Sequence, residues 1–170
     1  MVPFLVLTLL GLGLFYFQNL VLFPYVHLRL PSLLIFYASL QPRLALAFYL
    51  AGFLGLLQDS YALTPLGLHL NGALVLVAAG RLARRRFLMT SPGSQVLASL
   101  AALAAQEVGL RITLFLVGYP HYFMGKVKWL HLVEIVFTAL LAPLLFSLLQ
   151  ALERVLRPWG WSAVTADDSS

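Results

Sequence analysis

The sequence predicts an all-α integral membrane protein with six transmembrane helices, some of them short or broken. Three observations predict it. Hydrophobic residues make up 61% of the 170 residues and charged residues only 10%, against roughly 25% charged in soluble domains. Mean hydropathy is +0.92, an apolar excess too large for a water-soluble fold of this length to hide, so lipid must be the solvent. Apolar runs recur along the chain, cut by proline, glycine and arginine. The length allows one domain, read as a six-helix unit over residues 1–157 with a short disordered cytoplasmic tail over residues 158–170.

Each helix follows from its run and its breaks. Residues 2–23 are apolar apart from Thr8, Gln18 and Asn19 and end at Pro24; about 20 such residues cross a hydrocarbon core. No Lys or Arg precedes Leu5 and no polar cleavage region follows, so this run reads as a retained helix, not a signal peptide. Residues 25–57 are too long for one crossing. Pro31 and Gln41-Pro42-Arg43 divide them into two short helices over residues 32–40 and 44–57. Irregular backbone at membrane depth needs cover from other protein, so this stretch points to a packed core. The turn Thr64-Pro65-Leu66-Gly67 leads into a fourth helix over residues 66–82. Ser91-Pro92-Gly93 precedes a fifth over residues 95–117, and a sixth covers residues 129–149. Tyr119 to Phe123, with Trp129, reads as an interfacial aromatic belt exposed on the outer side.

Charge sets the orientation. With the N-terminus inside, the inner ends carry seven arginines (43, 81, 84, 85, 86, 154 and 157), against Arg29, Lys126 and Lys128 outside. The positive-inside rule therefore puts both termini in the cytoplasm. The net charge of +5 and pI ≈ 9.9 reflect this bias. No nucleic-acid-binding pattern accompanies them, so the basic cluster Arg81, Arg84, Arg85 and Arg86 reads as a contact with an anionic inner leaflet.

Few residues promise chemistry. Glu107 and Arg111 lie inside the fifth helix at i and i+4, sharing one face. Charge in lipid is costly and usually faces a bundle interior or an aqueous cavity. The first reading is a mutually neutralised pair that pins helix packing; the second is a partner anchor or a substrate or proton site. Glu134 is a possible third member. Gly52 and Gly55, with Ala51, form a small-residue face for close helix contact, and Asp59 stands where it can cap the turn into the fourth helix. His69 and Asn71 stand where they can hydrogen-bond near the outer surface. His27, His69, His121 and His131 form no metal-binding pattern, cysteine is absent, and no GxSxG, Walker or GxGxxG motif occurs. No catalytic residue, metal or cofactor is expected.

One family does fit the punctuation. Gly52-Phe-Leu-Gly55-Leu-Leu-Gln-Asp59, then Pro65-Leu-Gly67-Leu, then a helix ending Arg84-Arg-Arg-Phe87, and finally Ala142-Pro-Leu-Leu-Phe146, together resemble the rod shape-determining MreD family. The resemblance runs from Pro31 to Arg157. It implies a non-enzymatic, multi-pass subunit of the bacterial inner membrane that binds the bitopic protein MreC. It further implies work with the actin-like MreB, a penicillin-binding transpeptidase and the glycosyltransferase RodA in peptidoglycan synthesis and rod shape. The implied fold is similar to that of the substrate-binding component of ECF-type transporters. The alternative function is that component itself, which needs a pocket with convergent polar groups. Gln106, Glu107, Arg111, His131 and Glu134 are the main ones on offer. A membrane enzyme acting on lipid-linked substrates is the weakest reading, because the inner side carries arginines and almost no acids.

Overall fold

In the computed structural model, residues 2–22, 28–62, 65–86, 91–119 and 129–159 are described, and among them every regular element is helical. Helix α1 spans Val2–Tyr16 and continues into π-helical turns over Phe17–Leu22. It is followed by α2 (Leu30–Leu40), α3 (Leu44–Tyr61), α4 (Leu68–Arg86), α5 (Pro92–Leu116) and α6 (Trp129–Leu156), the last closed by a 3-10 turn over Arg157–Trp159.

Local chemistry explains the boundaries. Helix α2 begins before the expected position because Pro31 sits in its first turn, where a missing N–H costs nothing. It stops at Gln41, whose φ of −70° and ψ of 154° are extended, as the following Pro42 demands. Helix α4 starts after Pro65-Leu66-Gly67, since Gly67 holds φ at +92°, a left-handed turn only glycine adopts cheaply. Ser91 caps α5 by accepting from Ser94 N at 3.2 Å, with Pro92 at the first helical position. Helix α6 runs well beyond residue 149, because nothing in Gln150-Ala-Leu-Glu-Arg-Val interrupts it. The tail expected to be disordered from residue 158 begins instead in the 3-10 turn, and residues 160–170 lie outside the described ones.

Among the described residues, four helical stretches are long and apolar enough to cross a membrane: Val2–Leu20, Leu44–Tyr61, Pro92–Leu116 and His131–Leu156. The other two helices fall short for different reasons. Helix α2 has 11 residues, about 16 Å at 1.5 Å per residue. Helix α4 is apolar only as far as Gly80, where its arginines begin.

Helix directions alternate. Gln41 Nε2 donates to Glu153 Oε1 (2.8 Å) and Arg81 Nη2 to the Pro42 carbonyl (3.3 Å), which gathers the ends of α2, α4 and α6 with the start of α3. At the opposite end Leu30 N donates to Gln18 Oε1 (3.1 Å) and Arg29 N to Thr138 Oγ1 (3.2 Å). These bonds join the end of α1, the start of α2 and the first half of α6.

Helix α2 is the centre. Pro31 to Ser39 are all buried, and every other helix packs against it. In lipid there is little hydrophobic drive between helices, so close packing must hold them. Small residues permit it. A Cβ at Gly55 would lie 2.7 Å from Leu70 Cα, and one at Gly80 would collide with the Ser39 side chain, so α4 presses its backbone against both α3 and α2. Between α4 and α5 the fit is reciprocal: Gly72 receives Leu110, and Gly109 receives Val75. Phe146 of α6 packs on Phe36 and Tyr37 of α2, with ring centroids 6.2 and 5.3 Å apart.

Candidate functional site

A cavity of about 370 Å³ lies at the end of the bundle opposite Arg81 and Glu153. Eight of the ten residues that line it have polar side chains, although most of the chain is apolar. The π-helical turns after α1 supply Gln18, the start of α2 supplies Arg29 and Ser32, and the end of α3 supplies Gln58. Helix α4 adds His69 and α5 adds Gln106. His131 and Glu134 come from α6, and Leu28 and Leu110 complete the wall. Each helix or its flank thus contributes. The wider π turns place Gln18 where its Oε1 accepts from Leu30 N, and such local widening is a known device at sites.

Charges meet beside and within this wall. Arg29 Nη2 donates to Glu107 Oε2 at 2.8 Å, and Arg111 Nε donates to Glu107 Oε1 at 3.2 Å. The expected i,i+4 pair is therefore a triad, and its third member is Arg29, not Glu134. Arg29 reads in sequence as an outer-loop charge; its place just ahead of a buried proline-led helix was the available signal. Glu134 instead faces His131, with Oε2 at 3.2 Å from Nδ1, and is itself buried, 9% exposed. Thr138 ties the two clusters together: its Oγ1 donates to the Glu134 carbonyl and accepts from Arg29 N.

Gln106 leaves an acceptor unmet in the wall. It is 3% exposed, and its Oε1 has no hydrogen-bond partner among the described residues. A buried acceptor left unmade costs about 1–3 kcal/mol, so such groups are expected to find a donor.

The α3–α4 joint beside the cavity is built from the family-like residues. Asp59, 3% exposed, accepts from Gly67 N (2.9 Å), His69 N (2.8 Å) and Leu70 N (3.3 Å). It thereby satisfies N–H groups that the start of α4 leaves orphaned. Gly55 provides the close approach and Gly67 the left-handed turn, with Pro65 in front of it. Gly52 does not share this role: a Cβ there would meet nothing within 4 Å. The close-contact face is formed by Gly55 and the fully buried Ala51 alone.

The remaining candidates separate. Of the histidines, which look scattered in sequence, His69 and His131 converge on the cavity; His27 and His121 lie outside the described residues. No group of three His, Cys, Asp or Glu suited to a metal occurs among the described residues. Asn71 Nδ2 donates to Thr113 Oγ1, an α4–α5 bridge. Of the basic cluster, Arg81 reaches Pro42 and Arg84 is exposed. Tyr119 and Trp129 are exposed, and Pro120 to Phe123 fall outside the described residues. No protein-family model, curated protein or solved structure matches this chain.

Proposed function

We propose that this chain is a non-enzymatic, MreD-like scaffold of a bacterial cell-elongation complex. In this reading it crosses the inner membrane six times, with both termini cytoplasmic, and docks a bitopic MreC-like partner. Through that partner it helps organise peptidoglycan synthesis by a transpeptidase and a RodA-like glycosyltransferase alongside MreB. The observation that carries the reading is the α3–α4 joint. The ordered residues of the resemblance, Gly55, Asp59, Pro65 and Gly67, make one physical unit: a close helix contact, a buried cap and the turn between them. Six crossings are compatible with the short α2 because other helices sheathe it, so its length need not match the bilayer.

Affinity purification from membranes in mild detergent tests the reading. A bitopic coiled-coil protein should copurify, and depletion from a rod-shaped host should round its cells. Copurification of a pair of ATPases with retained rod shape would point instead to the transporter component.

A further inference from the structure

The cavity at the end of the bundle away from Arg81 and Glu153 is lined mainly by polar side chains. Its volume, about 370 Å³, is at the small end of ligand pockets. Its chemistry follows from which charges are already met. Arg29, the cation of the wall, is engaged by Glu107 at 2.8 Å. The wall's own carboxylate, Glu134, has one side-chain partner among the described residues, His131 at 3.2 Å. Gln106 Oε1 is buried with none among the described residues. The acceptors of the wall that remain open to a donor are therefore the Glu134 carboxylate and Gln106 Oε1, and the charge these two best complement is positive.

We infer that this cavity binds a molecule or headgroup bearing a primary ammonium, whose N–H groups donate to the Glu134 carboxylate and to Gln106 Oε1. Ammonium carries three donors on one compact charge, enough for both acceptors. A quaternary ammonium has the same charge and no N–H, so it leaves Gln106 unsatisfied. Ser32 and Gln58 on the same wall offer further polar contacts to a hydroxyl or phosphate attached to the amine. The amine can arrive on a lipid headgroup or on a free solute.

Two probes separate the chemistry and two settings separate the source. Glycerophosphoethanolamine and glycerophosphocholine share charge and backbone and differ in N–H donors. The purified full chain in mild detergent should bind the first saturably in calorimetry, and the second about tenfold more weakly or worse, the worth of one charge-assisted hydrogen bond. Glu134→Gln should weaken binding by a similar factor, and Gln106→Leu should narrow the difference between the probes. In nanodiscs, native mass spectrometry should find one retained phosphatidylethanolamine in preference to phosphatidylcholine if the source is lipid. Binding of the free compound with no lipid preference would assign a soluble amine. Equal binding of both headgroups, or no saturable binding in either setting by folded protein, overturns the inference. The probe comparison needs no variant, so a Glu134→Gln chain that fails to fold leaves the test intact.

Discussion

Removing Arg111 and removing Glu107 are different perturbations, although the two residues look like equal partners in the sequence. Without Arg111, Glu107 still holds Arg29; without Glu107, two guanidiniums face each other uncompensated. An unpaired buried charge costs about 3–5 kcal/mol, less here because the side chains keep some exposure (19%). Glu107→Leu is therefore expected to lose more folded protein from membranes than Arg111→Leu. The double variant should not recover, since Arg29 stays unpaired. Fluorescence-detected size exclusion and thermal unfolding in detergent measure this; recovery by the double variant would reduce the triad to a pair. Asp59 belongs to the same scale. It meets three backbone N–H groups, so Asp59→Ala should cost about 2 kcal/mol or more in unfolding measurements, at the upper end for a lost cap.

At the scale of elements, the contrast between two glycines of one helix is the sharpest test of the packing. Gly55 lies against the Leu70 backbone, which cannot move aside as a side chain can, while Gly52 faces open space. Gly55→Leu should prevent α3 and α4 from closing, at a cost of about 1–3 kcal/mol or more, and Gly52→Leu should leave the thermal unfolding temperature nearly unchanged. The two glycines were indistinguishable by spacing, and the reason is physical. Where lipid replaces water, both faces of a helix are apolar, so the pattern does not say which face packs. Helix α6 illustrates this: Leu132, Val136, Leu140, Leu144 and Leu148 are exposed at every fourth residue, while Ile135, Ala139, Ala142, Phe146 and Leu149 are buried. Both stripes are hydrophobic. Helix breaks were legible because proline and glycine act locally, as at Pro31, Pro42 and Gly67. The cavity was legible only in part. Gln106, His131 and Glu134 stood among the polar groups the sequence offers a pocket. Gln18, Arg29, Gln58 and His69 stand far apart in sequence, and only the fold of the helices brings them there.

The whole molecule separates its charges along one axis. Bonds from Gln41 to Glu153 and from Arg81 to Pro42 place the ends of α2, α4 and α6 together, and Arg84, Arg154 and Arg157 follow on those same ends. At the other end lies the cavity, where Arg29 is consumed by Glu107. A free cation at the cytoplasmic leaflet is stabilised by anionic lipid, whereas one already paired contributes little to orientation. In the proposed orientation, the pairing of Arg29 with Glu107 weakens one of the three cations set against the seven arginines. The chain is well suited to a test of topology, because it contains no cysteine of its own. Single cysteines at Arg84 and at Tyr119, both exposed, should label from opposite sides. The probe should reach position 119 in intact cells and position 84 only after the inner membrane is permeabilised. Helix α5 alone, with 25 residues, or about 37 Å, is long enough to separate the two positions by a full bilayer. Labelling of both from the same side would mean that α5 does not cross, and would end the six-crossing arrangement.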